Sequence, residues 1–407
     1  MNMKLLLTIT LICSSGYLFA QPSPLSAPAN DTSTSRVKDE SSFLIKRKPD
    51  ILENIHMNFL LRSSLEIPDG GRQSSIRLNE ARFEVLGTIV PDLDFRVRYH
   101  LNSSQMPKDL DNAPGSLDYA AVNYRFGRKK KWSVNVGKQA AFVGSWEFEN
   151  DPTYEYQYSE FVNFQTNLFM MAIRFGYQVN QNHSFFLQLH NTDNSSFNTT
   201  QANAGYPADG LKGAKNPMGV YATWQGKMFN QKFLTFWSYD ISQYASGKTN
   251  HSVALGNKVI LNKFQAYLDL QWAALAVDYI NLATPSINKY QQMVNPAFTP
   301  VFARDIHYKG AVLRMDYEFI PGWFITAKGI LESDSQTKNN STIGKNFREN
   351  IGIVAGLEYQ PIPSQHMKLF GYYYYNQVKF RHVVADANDN QHLNLFAVGV
   401  LYSVNAF

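Results

Sequence analysis

Three things are scarce in this 407-residue sequence, and each scarcity excludes a class of protein. The single cysteine, Cys13, lies in an N-terminal apolar stretch, so the remaining chain has no disulfide and no thiol chemistry. No uninterrupted apolar run reaches the roughly 20 residues that a transmembrane helix needs, which excludes a helical membrane protein. Charged residues make up only 17% of the chain, whereas about a quarter is usual in soluble domains, so the composition is not that of an ordinary soluble protein.

Aromatic residues are abundant instead, at 14% of the chain with 28 Phe and 23 Tyr. A β-barrel in lipid accounts for both observations, because its apolar and aromatic side chains face outward and its polar ones face inward. The net charge is +5, and the Lys and Arg residues are scattered rather than clustered. The composition therefore favours a membrane barrel and indicates no nucleic-acid partner.

The N-terminal region divides into two segments before any regular pattern begins. Residues 1–20 contain a basic start, an apolar core and a small-residue exit, which predicts a cleaved signal peptide. Residues 21–50 are rich in Ser, Pro, Asp and Lys without a period, which indicates a flexible periplasmic segment. We expect the barrel to occupy residues 51–407.

The stretch from Leu93 to Asn102 shows the pattern that repeats through the rest of the chain. Apolar and polar residues alternate in it strictly, so one face of a strand is apolar and the other carries Arg96, Arg98 and His100. About sixteen such runs of roughly ten residues follow Ile51, the length that a tilted strand needs to cross a bilayer. The sequence thus predicts an all-β, transmembrane antiparallel β-barrel.

The connections between these runs alternate in length. Short links, most of which contain Pro or Gly, alternate with mostly longer links, the pattern of outer-membrane barrels with short periplasmic turns and long extracellular loops. A soluble all-β protein has no reason for this alternation. The predicted location is therefore the outer membrane of a Gram-negative cell, with lipid and lipopolysaccharide around the barrel.

Basic residues on the polar faces of the strands are candidates to line the lumen. Rings of Arg and Lys form pathways for anions, so a basic lumen favours small anions. In the other interpretation each base pairs with a lumen carboxylate and only stiffens the wall. The candidates are Arg82, Arg96, Arg98, His100, Arg125, Lys138, Arg174, Arg314 and Lys328.

The link from Gln139 to Gln165 is long, aromatic and acidic. We expect it to fold inward as a constriction loop, with its carboxylates facing a basic wall and creating a transverse field. A surface loop that touches neighbouring subunits or lipopolysaccharide is the alternative. The residues assigned to the constriction are Trp146, Glu147, Glu149, Asp151, Tyr154 and Glu155.

Catalytic and metal-binding motifs are absent from the sequence. It contains no GxSxG, HExxH, P-loop or CxxC motif, so we assign no catalytic residue, no metal and no cofactor. The expected function is passive diffusion of small hydrophilic solutes through a porin. The alternatives are a non-channel barrel that serves as a structural or binding component of an envelope complex, and a barrel enzyme.

Two stretches resemble a known family. Arg77 to Asn102 is similar to the second and third strands of the phosphate-selective porin O and P family, and Val134 to Glu149 to its strand that enters the inward loop. The resemblance, to porins of this type in Bacteroidetes-like Gram-negatives, implies a sixteen-stranded homotrimeric porin that passes phosphate along lumen arginines. Arg82, Arg96 and Arg98 match that ladder, whereas the acidic loop departs from the family's basic constriction.

Overall fold

The structure, a computed structural model, describes residues 54–405 apart from 151–152, 166, 208, 339–340 and 363–365. The predicted signal peptide and the predicted segment 21–50 lie outside the described residues. The described residues form sixteen antiparallel strands that close into a barrel, each paired with its neighbours in sequence and β16 paired with β1. This confirms the predicted fold class. None of the described helices is both long and apolar enough to span a membrane.

The strands vary from eight to seventeen residues. Their bounds are β1 Ile55–Pro68, β2 Ser75–Val90, β3 Leu93–His100, β4 Leu117–Phe126, β5 Trp132–Ala140, β6 Phe169–Gln178, β7 His183–Asn191, β8 Met218–Met228, β9 Phe233–Gln243, β10 Thr249–Ile260, β11 Phe264–Val277, β12 Arg304–Ile320, β13 Trp323–Gln336, β14 Gly344–Tyr359, β15 Met367–Phe380 and β16 Gln391–Asn405.

The two faces of the barrel are inverted relative to a soluble protein. On β11, Leu268 and Leu270 are exposed on the outer face, whereas the alternating Asp269 and Gln271 are buried on the inner face. The outer face of β3 likewise exposes Val97. An apolar outer face on nearly every strand needs lipid as its solvent, because soluble monomers rarely expose apolar patches of this extent.

Several strands continue beyond the predicted alternation at the end of the barrel that carries the long loops. β13 runs to Gln336 and β14 begins at Gly344, so residues 333–336 and 344–348 belong to strands although they lie outside the apolar alternation. These extensions carry polar residues on both faces. Apolar alternation is required only where the outer face meets hydrocarbon, and strands that rise above it keep their hydrogen bonds without that pattern.

The long loops pack against one another at this loop end. The described residues contain three α-helices: α1 Trp146–Glu149 lies in the link between β5 and β6, and α2 Phe197–Asn203 and α3 Thr284–Val294 lie in the loops at this end. Ile287 of α3 packs with Ile343 and Val384 of the two following loops, and all three are buried. A second cluster joins Phe197 to Phe302. The loop end over β7 to β16 is therefore a packed layer.

Candidate functional site in the barrel lumen

The link between β5 and β6 folds into the barrel, as predicted for a constriction loop. Its helix α1 begins at a carboxylate of the opposite wall: Asp269 on β11 accepts hydrogen bonds from the backbone N–H groups of Trp146, at 3.1 Å, and Glu147, at 2.9 Å. The Ser145 hydroxyl donates to the same carboxylate at 2.7 Å. A negative charge at a helix N-terminus satisfies its free N–H groups, so Asp269 fixes the point at which the loop crosses the lumen.

Gly144 allows the loop to approach the wall closely just before α1. Its N–H donates to the Ser238 hydroxyl on β9 at 2.8 Å. A Cβ atom at this position would lie 2.5 Å from the Phe236 carbonyl oxygen and 2.7 Å from that of Ala254. Only glycine fits against these two backbone groups.

A second wall carboxylate holds the far end of the loop. Glu332 on β13 accepts from the backbone N–H groups of Glu160, at 3.1 Å, and Phe161, at 2.9 Å, where a π-helical turn over Phe161–Gln165 begins. Arg348 on β14 forms an ion pair with Glu160 and another with Asp334. The loop is thus fastened at two separate places on the wall from β9 to β14.

Four charged residues between these two points form what we call the anchor cluster: Glu147 and Glu155 of the loop, and Arg314 and Lys328 of the wall. The Lys328 ammonium lies 2.6 Å from Glu147 and 2.7 Å from Glu155, and Arg314 lies 3.3 Å from Glu155. All four side chains are at most 2% exposed. Because the pairs are buried, removing one partner leaves a costly unpaired charge.

The anchor cluster sets the ionisation of the loop. Burial raises the pKa of Glu155, but Lys328 and Arg314 outweigh that effect and lower the pKa to about 2. The carboxylate therefore stays charged near neutral pH. Glu147 and Glu155 thus meet the basic wall in direct contact, not across an open gap as the predicted transverse field requires.

Three predicted arginines form a separate group on β2 and β3, which we call the arginine wall: Arg82, Arg96 and Arg98. Each pairs with a neighbouring carboxylate: Arg82 with Glu80 at 3.1 Å, Arg96 with Glu84 at 2.5 Å and Arg98 with Asp118 at 3.1 Å. Their side chains keep 10 to 13% exposure, against 2% for Arg314 and Lys328.

A local irregularity in β4 serves the arginine wall. The register between β3 and β4 shifts between Arg98 and Tyr99, so Asp118 is the extra residue of a β-bulge. The bulge turns Asp118 toward Arg98 while Tyr119 lies beneath two guanidinium groups, 4.0 Å from Arg96 and 4.6 Å from Arg98. The wall arginines are therefore held by both charge and ring contacts.

His100 and Arg125 also contact carboxylates. His100 lies 3.2 Å from Glu80, beside the arginine wall. Arg125 lies 2.8 Å from Asp94, close to the short turns, away from the loop. The structure brings His100 together with the wall and leaves Arg125 apart.

Lys138 requires a correction. It was predicted to line the lumen at the entrance of the loop, but its ammonium pairs with Asp111 of the β3–β4 connection. The side chains are 3% and 0% exposed. The pair fastens that connection to β5, and a cation sealed in this way offers no open anion site.

Arg174 on β6 differs from the other predicted bases. Its guanidinium lies 4.1 Å from the centre of the Phe142 ring and 5.8 Å from that of Phe186. Among the described residues it has neither a carboxylate within 4.0 Å nor a hydrogen-bond acceptor. It is half-buried, and no described residue uses its N–H donors.

Lys258 on β10 was not among the predicted residues and resembles Arg174. Its ammonium lies 5.4 Å from the Trp146 ring, and the described part of the chain gives it no ion pair. Side chains alternate along a strand, so Lys258, three residues after the outward-facing Leu255, faces inward. The alternation of β10 is weak because Asn257 occupies the outer face, where it accepts a hydrogen bond from Trp237 at 3.2 Å.

The remaining predicted loop residues divide between these groups. Glu149 lies within Coulombic range of Arg96, Arg174 and Lys258. The Tyr154 carbonyl accepts from Arg314, and the Tyr154 ring lies 4.8 Å from the Lys368 ammonium. Asp151 lies outside the described residues.

Other wall bases that were not predicted also hold the loop. Arg62 on β1 donates to the Glu155 carbonyl at 2.7 Å, and Lys368 on β15 donates to the Thr153 carbonyl at 2.9 Å. Lys368 shares its parity with Phe370 and Tyr372, both of which are buried on the inner face. That parity was the signal in the sequence, but the loop partners were not readable from it.

Comparisons with known proteins agree with this architecture. The family model described as "Phosphate-selective porin O and P" matches residues 54–403. No curated protein matches the chain.

Solved structures share the fold at low sequence identity. The outer membrane channel DcaP of Acinetobacter baumannii has a TM-score of 0.59 at 9% identity, covering 86% of this chain and 97% of that one. The anion-selective porin from Comamonas acidovorans has a TM-score of 0.55 at 10% identity, and the match covers 86% of this chain and 99% of that one. The trimer form of OmpT from Vibrio cholerae has a TM-score of 0.53 at 12% identity, with the same two coverages.

Proposed function

The chain belongs to the phosphate-selective porin O and P family and is an outer-membrane porin for small solutes, and on that premise we propose that its lumen favours anions. One observation carries the proposal. The loop acids Glu147 and Glu155 are neutralised in the anchor cluster, whereas Arg174 and Lys258 have no carboxylate partner among the described residues. Two partly exposed, unpaired cations then dominate the field near the constriction.

The arginine wall contributes donors to the same pathway. Its three pairs are nearly neutral as units, but their partly exposed guanidinium groups can still share N–H donors with a passing oxyanion. Inorganic phosphate is therefore a candidate solute, in keeping with the family. The likeness to an anion-selective porin supports the same sign of selectivity.

We extend the proposal to the assembly and the location of the chain. A homotrimer is supported by the trimeric form of one solved neighbour. The outer face is proposed to contact lipid and lipopolysaccharide. Two ring pairs would form an aromatic girdle at the short turns: Trp132 and Tyr177, with centroids 4.4 Å apart, and Trp323 and Tyr359, 4.5 Å apart. Residues 1–20 are proposed as the signal peptide that directs export, and 21–50 as a periplasmic segment.

A planar-bilayer measurement in a KCl gradient tests the proposal. The reversal potential of the wild-type channel should show a preference for chloride. Replacing both unpaired cations, Arg174→Gln with Lys258→Gln, should lower the chloride-to-potassium permeability ratio roughly threefold, because two charges within several ångströms of the path are removed.

A matched control removes a cation outside the lumen. Lys338→Gln changes an exposed loop lysine that pairs with Asp305 at 2.8 Å, and it should leave the ratio unchanged. Potassium preference in the wild type would refute the anion proposal. A protein that inserts without conducting would favour the alternative of a non-channel barrel.

A further inference from the structure

The two unpaired lumen cations lie on opposite flanks of one group of aromatic rings. Phe142 contacts Phe186 edge-on with centroids 4.6 Å apart and Phe236 at 5.1 Å, and Phe236 contacts Trp146 at 5.9 Å. Arg174 lies over Phe142 and Lys258 over Trp146. We call these four rings and two cations the aromatic–cation strip.

The strip combines parts of the loop and parts of the wall. Phe142 and Trp146 belong to the constriction loop, whereas Phe186 lies on β7 and Phe236 on β9. The loop rings are held in place because Thr223 donates to the Phe142 carbonyl at 2.7 Å and Gln188 accepts from its N–H at 2.7 Å. The rings therefore form a fixed surface beside the loop, preorganised for a ligand.

The geometry of Arg174 leaves its strongest contacts unused. Ring stacking occupies the face of a guanidinium, while its five N–H donors lie in the plane and suit a carboxylate. Among the described residues none of those donors has an acceptor. Phe142, Phe186, Trp146, Arg174 and Lys258 are all half-buried rather than sealed, in contrast to the anchor cluster. Phe236, at 1% exposure, is sealed and packs between the other rings without offering surface to a ligand.

A simple inorganic ion uses only part of this surface. Chloride or phosphate gains from the two cations but nothing from the rings, which offer no hydrogen bond to a hydrated ion. A carboxylate attached to a planar apolar body gains from both, because the body covers ring surface while the carboxylate meets Arg174 or Lys258. Glu149 offsets part of the charge of both cations. Asp316 and Glu155 also lie within Coulombic range of Lys258, but both are paired with Arg314, and Arg96 adds positive charge beside Arg174.

We propose that the aromatic–cation strip is a binding subsite for small aromatic carboxylates on their way through the channel. The proposal rests on the proposed anion-favouring porin and specifies a class of solute for it. A channel with such a subsite holds aromatic carboxylates longer than acetate or chloride of the same charge.

Benzoate and acetate are the probes that test it, because they share a carboxylate and differ in the ring. Added to a wild-type channel that carries a chloride current, benzoate should reduce the current at a concentration about tenfold lower than acetate does. Phe142→Leu should reduce this ratio of inhibitory concentrations about fivefold, since it removes the ring but keeps an apolar side chain of similar volume. Arg174→Gln should weaken inhibition by both anions.

The matched control makes the same exchange on the outer face. Phe185 is 52% exposed there, and Phe185→Leu should leave the difference between benzoate and acetate unchanged. Equal inhibition by the two anions in the wild type overturns the subsite, and so does a difference that survives Phe142→Leu.

The two proposals fail in distinguishable ways. Potassium preference in the KCl gradient refutes anion selectivity whatever benzoate does. Chloride preference with equal inhibition by benzoate and acetate refutes the subsite alone. Calorimetric titration of the detergent-solubilised protein with each anion decides the subsite even if no current is observed, and absence of tighter benzoate binding there counts against it.

Discussion

The two sides of the constriction loop use the same residue types for opposite purposes. On one side Arg314 and Lys328 are sealed in the anchor cluster with two loop carboxylates. On the other side Arg174 and Lys258 rest on aromatic rings, and the described residues offer them no carboxylate partner. All four bases face inward from the strands, so their position in the barrel does not distinguish them. The two pairs of bases differ in their contacts with the loop.

This difference explains how an acidic loop is compatible with the proposed preference for anions. A loop with free carboxylates beside the pathway would repel anions, whereas carboxylates bound to wall cations contribute little to the field a solute meets. The anchor cluster thus has two consequences. It holds the loop, and it leaves the cations on the other side as the dominant charges.

The largest expected effect comes from breaking the sealed side. Lys328→Gln leaves Glu147 and Glu155 buried with one partner fewer, and we expect a loss of about 3–5 kcal/mol in the free energy of unfolding. The loop should also detach in part, so single-channel currents should become larger and noisier. Urea unfolding in detergent and planar-bilayer recording measure the two effects.

A second variant and a control sharpen this prediction. Adding Glu147→Gln to Lys328→Gln removes one of the stranded charges and should recover part of the stability. Lys309→Gln makes the same exchange at an exposed position on β12 and should change the stability by less than about 0.5 kcal/mol. An equal effect of Lys309→Gln and Lys328→Gln would contradict the assignment of Lys328 as an anchor.

The sequence predicted which face each base occupies but not which base would be neutralised. Strict alternation placed Arg96, Arg314 and Lys328 inward, because only one parity leaves apolar residues for lipid. The partners of Lys328, however, are Glu147 and Glu155, 181 and 173 positions away, brought there by a loop that crosses the barrel. No local pattern encodes that contact.

The errors at individual residues have similar causes. Lys138 was assigned to the lumen from its place at the end of β5, but Asp111 of a different connection covers it. Lys258 was missed because the polar Asn257 weakens the outer-face alternation of β10. Strand number and parity follow from short-range periodicity, whereas the site depends on how long loops fold across the barrel.

A smaller effect should appear in the pH dependence of the sealed side. The pKa of Glu155 in the folded chain, about 2, lies below its ordinary value of 4.5. A carboxylate with a lowered folded pKa stabilises the fold above its unfolded pKa, and that contribution is lost as the pH falls. The stability difference between wild type and Glu155→Gln should therefore be constant from pH 7 to about 5 and shrink as the pH falls from about 4.5 toward 2.

Urea unfolding of both proteins at each pH measures this difference. Glu349→Gln is the control, because Glu349 pairs with Arg381 at 2.6 Å at the loop end, where the side chains are 25% and 52% exposed instead of sealed. The stability of Glu349→Gln should differ little from that of the wild type at every pH. If the stability difference between wild type and Glu155→Gln grew as the pH fell, the lowered pKa of Glu155 in the folded chain would be contradicted.

The smallest expected effect is on the open side, and it tests whether the two sides are electrostatically separate. Glu149 is the described loop carboxylate within Coulombic range of Arg96, Arg174 and Lys258. Glu149→Gln should raise the chloride-to-potassium permeability ratio roughly twofold, since one negative charge beside the path is removed. Glu147→Gln removes the same charge from the sealed side and should act mainly on stability. If both variants changed the permeability ratio equally, the loop carboxylates would all face the solute, and the neutralising role of the anchor cluster would be wrong.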